Sequence, residues 1–290
     1  MSLPVPEDIF PLLRRFAEPF ANTSPAIVSR FQKETPEPLF PFGIATDRGL
    51  GILLLCAALY RPGAESRGTR VITGLYAALG NDVFKLNRIP FGTLQTALSN
   101  LPLAPDPEEQ KRIPGILRSV CDFFYERGSL RNWLAAAETW EKCVQQMSEA
   151  IYWMGRHSPW RTKSRYFLWL ASFQDGFAAQ FPQSENFSWP VGEGHGRFYG
   201  HILRPAMYPA ARFKAKETPE TSPEARLRFF RDLGRSAFPG ESWKLFQVLD
   251  AYLRPEKEHE YLCRKIQGGC KPCPFVKRCP AAMHLGESRR

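Results

Sequence analysis

Apolar residues recur at helical spacing along most of the chain, and this pattern predicts a helical protein. The run GLGILLLCAALY, from Gly49, is apolar on nearly all sides, which indicates a helix buried at the centre of a domain. Five more helices are predicted after it, in TRVITGLYAALG, FGTLQTALSNL, residues 108–126, NWLAAAETWEKCVQQMSEAIYWM and TKSRYFLWLASF. The alternation that is typical of strands is nearly absent. The predicted fold class is therefore all-α.

The helical pattern is interrupted between residues 174 and 200, where Gly, Pro and polar residues break the periodicity. We place the boundary between two lobes in this stretch. Outside the first lobe, helical patterns occur in IFPLLRRFAEPF, HILRPAMYPAARF, SPEARLRFFRDLG and ESWKLFQVLDAYL. Ser222 or Thr221 is suited to cap the third of these segments, because a side-chain oxygen there can accept from the first backbone N–H groups.

Four of the seven cysteines lie close together near the end of the chain. They are Cys263, Cys270, Cys273 and Cys279, with six, two and five residues between them, so a shared ligand is expected. Disulfides need an oxidising compartment, and the first residues do not have the pattern of an export signal. Structural zinc sites usually have two separated C-x2-C pairs, and only Cys270 and Cys273 form such a pair. We interpret the group as a [4Fe-4S] site, with zinc as the alternative.

The composition and charge of the chain indicate a polyanionic partner. The chain has 290 residues, 43% of them hydrophobic, and a formal charge of +10. Residues 251–290 contain nine Lys and Arg against four Glu, so half of the net charge lies in the cysteine-bearing segment. No apolar run approaches the roughly 20 residues that span a bilayer. We therefore expect a soluble, cytoplasmic protein with no membrane partner, associated with the nucleoid if the source is bacterial.

The order of the cysteine gaps resembles the cluster loop of the endonuclease III and mismatch-adenine glycosylase family, the helix-hairpin-helix DNA glycosylases. This resemblance implies a six-helix barrel domain, which we assign to residues 47–176. It also implies a helical iron-sulfur domain formed by the N- and C-terminal segments, here 1–46 and 177–290. Its partner would be double-stranded DNA with a damaged or mispaired base, bound by a monomer. The other cysteines, Cys56, Cys121 and Cys143, are predicted to be buried thiols.

The resemblance also implies DNA-binding residues. In the family, a hairpin before the last barrel helix binds a phosphate through backbone N–H groups. The stretch HSPWRTKSRYFLWLASF occupies that place here and lacks the two hairpin glycines. Arg161 and Arg165 could contact phosphates through their charge. The basic residues of the cysteine loop would do the same; they are Arg264, Lys265, Lys271 and Lys277.

Catalysis in the family uses a carboxylate and, in bifunctional members, a lysine. Lys163 matches the position of the lysine that attacks the sugar. The aspartate of the V-D-T-H-x-x-R pattern has no clear equivalent. Tyr199 occupies its place in one matching segment, Glu193 lies near it in another, and Asp175 follows the last predicted barrel helix. These three residues and Lys163 are the candidate catalytic residues.

These patterns together predict a base-excision DNA glycosylase, with or without strand cleavage at abasic sites. The alternative is an inactive iron-sulfur DNA-binding protein of the same fold, because the hairpin glycines and the aspartate are missing. A RecB-like nuclease is disfavoured, because its acidic and lysine residues lie on strands, whereas Pro105, Asp106, Glu109 and Lys111 are compressed into a helical context.

Overall fold

The structure is a computed structural model, and it describes residues 5–18, 46–61, 66–101, 107–172, 181–191, 193–207, 222–252, 274–277 and 279. The described chain is helical and contains no strand, which confirms the all-α prediction. The described α-helices are α1 (Ile9–Ala17), α2 (Asp47–Ala58), α3 (Ser66–Leu79), α4 (Phe91–Ser99), α5 (Pro107–Arg127), α6 (Leu130–Ala136), α7 (Trp140–Ala150), α8 (Thr162–Ser172), α9 (Glu193–Phe198), α10 (Arg204–Met207), α11 (Pro223–Ala237) and α12 (Lys244–Tyr252).

The chain divides into two compact units. One comprises Met1–Thr23 and Ser188–Arg290, and the other comprises Ser24–Phe187. The predicted lobes change over between residues 176 and 177, so the two divisions differ in their boundaries. The barrel arrangement and the iron-sulfur role stay predictions. No described helix is both long and apolar enough to cross a membrane.

Helix α2 forms the centre of the unit Ser24–Phe187. Ten of its twelve residues are buried, as its apolar sequence predicts, and it packs against α3, α5, α6 and α8. Thr46 caps its N-terminus by accepting a 3.2 Å hydrogen bond from the backbone N–H of Gly49. Helix α3 approaches it closely at Gly68, where an added Cβ would lie 2.6 Å from the carbonyl oxygen of Cys56. Glycine therefore lets these two helices touch.

The predicted single helix over residues 132–154 is wrong. The structure divides it into α6 and α7, because residue 137 is extended and Thr139 begins a new helix. The Thr139 hydroxyl accepts a 3.4 Å hydrogen bond from the backbone N–H of Lys142, which is an N-cap contact. A 3₁₀ stretch, Gly80–Arg88, also follows α3. Among the described residues, the six predicted segments therefore correspond to seven α-helices and one 3₁₀ stretch.

The other unit has an apolar core contributed by α1, the helical stretch 193–207, α11, α12, Phe275 and Cys279. The Ser222 hydroxyl accepts a 3.1 Å hydrogen bond from the backbone N–H of Ala225, which confirms its predicted role as the cap of α11. Phe275 is fully buried, with its ring centroid 5.7 Å from that of Phe16 and 5.2 Å from that of Phe198. The segment after the cysteine pair is thus anchored in this core.

Two details differ from the sequence prediction in this unit. Residues 193–198 were expected to be irregular but form helix α9, which continues through a π-helical stretch, Tyr199–Leu203, into α10. A short 3₁₀ helix, Pro182–Asn186, also lies within the stretch predicted to be irregular. The glycines and prolines there are thus compatible with short helices, although they mask the apolar periodicity.

Candidate functional site

A cavity of about 740 Å³ opens at the turn between α7 and α8, which we call the α7–α8 turn (residues 151–161). Its lining includes basic, acidic and aromatic side chains in one place. They are Glu149, Tyr152, Trp153, Arg156, His157 and Lys163. Tyr152 and Trp153 are about half exposed, at 49% and 48%, which is unusual for large aromatic side chains. The cavity lining therefore combines the amine of Lys163 with further basic side chains and accessible aromatic rings.

The backbone of the α7–α8 turn is held in an unusual conformation. Trp153 and Arg161 have positive φ angles of 63° and 42°, although neither is glycine, and Gly155 has φ 99°. Left-handed backbone costs a non-glycine residue about 1 kcal/mol, so surrounding contacts must maintain it. The backbone N–H of Tyr152 donates to the hydroxyl of Ser119 at 3.0 Å, and the Arg112 guanidinium lies 4.1 Å from the centroid of the Trp153 ring. Both contacts fix the turn to α5.

A buried hydrogen bond joins the two helices behind the turn. The hydroxyls of Ser148 on α7 and Ser164 on α8 are 2.8 Å apart, and both residues are fully buried. A buried hydroxyl without a partner would be costly, so this pair fixes the two helices in one register. The cavity walls are therefore preorganised.

Lys163 lies in the first turn of α8 and is partly buried. Its Nζ donates a 2.7 Å hydrogen bond to the carbonyl oxygen of Ala58, the last residue of α2. The final carbonyl groups of a helix have no partner within the helix, and a cation there is favourable. The structure thus gives Lys163 a helix-capping contact and also brings its side chain into the cavity lining.

The two arginines predicted to bind phosphate have different surroundings. Arg161 is half-buried and directly precedes α8, with its backbone in the left-handed region. Arg165 is buried, and its guanidinium makes a two-point ion pair with Glu141 at 3.0 and 2.6 Å. Its Nε also donates to the carbonyl oxygen of Trp160 at 3.1 Å. These contacts hold the Arg165 side chain in the protein interior, which argues against the predicted phosphate contact.

None of the three candidates for the catalytic carboxylate position presents a described carboxylate. Asp175 lies outside the described residues, and so does the side chain of Glu193, the first residue of α9. Tyr199 is buried in the core of its unit, with its ring 5.6 Å from that of Phe229 and the Arg226 guanidinium 6.0 Å from its centroid. Tyr199 therefore has a packing role there.

Of the four clustered cysteines, the structure describes Cys279. It is buried in the same apolar core as Phe275. Cys263, Cys270 and Cys273 lie outside the described residues, as do Arg264, Lys265 and Lys271. Lys277 is described and exposed. Four thiols are a suitable donor set for an iron-sulfur cluster or for zinc, and a solvent-shielded Cys279 fits a ligand of either.

No group of three or more His, Cys, Asp or Glu side chains suited to a metal ion occurs among the described residues. The three cysteines predicted to be buried thiols are buried. Burial raises the pKa of Cys56 well above its ordinary value, that of Cys121 to about 11 and that of Cys143 to about 12. They remain protonated at neutral pH, so they behave as small apolar side chains.

Most of the cavity lining is not predicted from the sequence. Tyr152, Trp153, Arg156 and His157 were included in or placed beside a predicted helix, and none was selected as a site residue. The available signal is Gly155, which lies two residues after the adjacent aromatics Tyr152 and Trp153 and ends the apolar pattern there. Such an interruption indicates a turn, and exposed aromatics on a turn are candidates for binding.

Comparisons with protein-family models, with curated proteins and with solved structures found no match. The resemblance to the glycosylase family therefore rests on the cysteine spacing and on the weaker matches around residues 158–165 and 190–204.

Proposed function

We propose that this protein binds duplex DNA through the α7–α8 turn and acts on a damaged or mispaired base, with the amine of Lys163 as the nucleophile. The observation that carries the proposal is the presence of Lys163, Arg156 and the exposed rings of Tyr152 and Trp153 in the lining of one cavity. The cysteine spacing and the net charge of +10 support it independently.

Each part of the cavity has a role in the proposed reaction. A base must leave the duplex before it is removed, and aromatic rings bind extruded bases or fill the gap that they leave. Tyr152 and Trp153 are suited to that task, because half of each side chain is accessible. Arg156 and His157 are exposed and can contact the phosphates beside the extruded nucleotide.

The chemical step uses the neutral amine of Lys163. Its nitrogen lone pair attacks C1′ of the deoxyribose, the bond between C1′ and the base breaks, and the base leaves with a proton. Opening of the sugar ring then gives a Schiff base between Nζ and C1′. Loss of a proton from C2′ breaks the bond between C3′ and its phosphate oxygen, which cleaves the strand. The first attack requires Nζ to release the carbonyl oxygen of Ala58.

The four clustered cysteines would hold the [4Fe-4S] cluster, or zinc, that their spacing predicts. When bound, the group would cross-link the segment 263–279 and fix the basic side chains of that segment for contact with DNA. The buried positions of Phe275 and Cys279 support a structural role of this kind.

The test is borohydride trapping on a duplex that contains an abasic site. The amine and the aldehyde at C1′ form a Schiff base with loss of water, and borohydride reduces it to a stable covalent adduct. The parent protein should form this adduct and Lys163→Ala should not. Lys142→Ala is the matched control, because Lys142 is an exposed lysine on α7 that pairs with Glu138. An adduct that persists in Lys163→Ala contradicts the assignment of the nucleophile.

A second candidate is a DNA-binding protein without catalytic activity. Two observations favour it: Tyr199 is packed in a core where the family has its aspartate, and the Lys163 amine is engaged with Ala58. Under this alternative, a panel of damaged duplexes would be bound in a salt-sensitive manner and none would be cleaved or trapped. Release of any free base from that panel excludes it.

A further inference from the structure

A second cleft of the unit Ser24–Phe187 lies at the opposite end of α2 from Lys163. Its volume is about 480 Å³, which is within the range of roughly 300–1,000 Å³ for small-ligand sites. Its lining residues come from the first turn of α2, the 3₁₀ stretch Gly80–Arg88 and the end of α5. Arg48 in this cleft and Ala58 beside Lys163 are roughly 15 Å apart along the axis of α2. The two sites share no lining residue.

The charges in this cleft have one sign. Arg48, Lys85 and Arg88 line it, and none of its described lining residues is acidic. Lys85 and Arg88 are exposed, and within the described ranges no carboxylate forms an ion pair with either of them. Cations gathered around a concave surface attract an anion more strongly than the same cations spread over a flat one.

An aromatic ring lies beside these cations. The Tyr125 side chain is 68% exposed, and the Arg88 guanidinium lies 5.2 Å from its ring centroid. On the other side of the cleft, the Arg48 guanidinium lies 5.9 Å from the centroid of Phe84. The Arg88 guanidinium packs on the Tyr125 ring and so keeps hydrogen-bond donors at its edge for a ligand. The cleft therefore combines donors for an anion with an accessible ring.

The walls of the cleft are fixed before any ligand arrives. The Arg118 guanidinium donates to the carbonyl oxygen of Asn87 at 3.0 Å, and the Asn87 amide donates to the Asp122 carboxylate at 2.8 Å. Next to Asp122 in sequence, the Cys121 thiol contacts the carbonyl oxygen of Val83 at 3.7 Å. These contacts attach the 3₁₀ stretch to α5, so little conformational freedom is lost when a ligand binds.

We infer that this cleft binds a nucleotide unit, with its phosphate among Arg48, Lys85 and Arg88 and its base against the ring of Tyr125. Arginine is the preferred partner of phosphate because its planar donors match two phosphate oxygens. Stacking on an aromatic ring accepts any base, because every base has a π-face. The unit comes either from a free nucleotide or from single-stranded nucleic acid. The inference does not rest on the proposed glycosylase activity.

The experiment measures binding of two probes to the full-length protein. One is deoxyadenosine monophosphate, measured by calorimetry, and the other is a fluorescein-labelled single-stranded oligothymidylate, measured by anisotropy. Binding of both probes identifies a mononucleotide site, and binding of the oligothymidylate alone identifies a strand-binding site. Either result supports the inference, and absence of binding by both probes overturns it.

The variants decide whether binding occurs in this cleft. Arg88→Ala should weaken binding about tenfold, because a charge-assisted contact is lost. Tyr125→Ala should weaken it about fivefold or more, whereas Tyr125→Phe keeps the ring and should bind like the parent. Arg70→Ala removes an exposed arginine of α3 that does not line the cleft and should leave the affinity unchanged.

Three results would contradict the inference. Equal weakening in Arg88→Ala and Arg70→Ala would mean attraction by overall charge. Unchanged binding in Tyr125→Ala would show that the ring does not contribute to binding. Competition by inorganic phosphate as strong as that by the nucleotide would show that the base is not recognised. Because all these side chains are exposed, the variants should melt like the parent, which circular dichroism checks.

Discussion

The Nζ of Lys163 donates a 2.7 Å hydrogen bond to the carbonyl oxygen of Ala58, at the C-terminal end of helix α2. This contact predicts a stability role that is separate from catalysis. Lys163→Met should lower the free energy of unfolding by about 1 kcal/mol, because it removes a charged donor from a helix end. Urea denaturation measures the loss, and Lys163→Arg, which keeps the charge, should recover part of it. An unchanged midpoint in Lys163→Met contradicts this role.

Gly68 is predicted to tolerate no side chain. An added Cβ would lie 2.6 Å from the carbonyl oxygen and 3.0 Å from the Cα of Cys56, and backbone atoms cannot move aside as a flexible side chain can. Gly68→Ala should therefore lower the free energy of unfolding by about 2 kcal/mol or more. Gly92 lies in α4 with no atom within 4 Å of its added Cβ, so Gly92→Ala should cause no loss. Equal thermal midpoints for the two variants would contradict the close packing of α3 on α2.

The ion pair between Arg165 and Glu141 should contribute more to stability than the exposed ion pair between Lys142 and Glu138. The Arg165 side chain is 6% exposed, and Glu141→Gln would leave the guanidinium charge inside the protein without the carboxylate that balances it. We expect a loss of about 2 kcal/mol, reduced from the cost of a fully buried pair because the Glu141 side chain is 40% exposed. Glu138→Gln removes the exposed partner of Lys142 and should have no measurable effect. Chemical denaturation of both variants makes the comparison.

His195 should make the stability depend on pH. Its ring is buried against Phe230 and Phe246, and burial lowers its pKa from the ordinary value of 6.5 to about 3. The unfolded chain therefore binds a proton below about pH 6.5, whereas the folded chain remains neutral at this position. Stability should fall as the pH drops from about 6.5 towards 3, by up to about 1.4 kcal/mol per pH unit from this group.

Replacement of the ring tests this assignment. His195→Phe should reduce the slope of unfolding free energy against pH between about pH 5 and 6.5. Gln95→Ala changes an exposed side chain that does not titrate and should leave the slope as it is. The assignment fails when the slope of His195→Phe equals that of the parent.

The clustered cysteines predict a coloured protein. Material prepared without oxygen should be brown and contain about four iron and four sulfide per chain. Cys270→Ser should bleach it and expose the chain to proteolysis, because the segment 263–279 loses its cross-link. Cys143→Ser changes a buried thiol of the other unit and should retain the colour. A colourless preparation with about one zinc per chain would favour the alternative ligand.

Much of the helical architecture follows from local patterns. The run from Gly49 is apolar on nearly all sides, and ten of the twelve residues of α2 are buried. The cap of α11 by Ser222 can be predicted, because a serine followed by Pro223 and an apolar period is a local signal for the start of a helix. The division of the helix at Thr139 was missed, because the apolar period continues across residues 137–139 and conceals a cap contact made by one hydroxyl.

The site was harder to predict because its contacts join distant parts of the chain. Lys163 and Ala58 are 105 residues apart, and no sequence pattern relates a lysine to one particular carbonyl oxygen. Arg165 was selected as a phosphate contact because of its charge, yet its partner Glu141 lies on another helix and removes it from the surface. Burial of a charged residue depends on tertiary packing, which a local pattern does not encode.

The anchoring of Phe275 against Phe16 and Phe198 has a consequence for the order of folding during synthesis. The unit Ser24–Phe187 is continuous in sequence, so it can fold as soon as it leaves the ribosome. Helix α1 emerges first, but its packing partners α11, α12 and Phe275 are synthesised more than two hundred residues later. Its apolar face, with Ile9, Leu13 and Phe16, is therefore exposed to solvent until those partners have been synthesised. During that time the nascent chain has the greatest need of a chaperone.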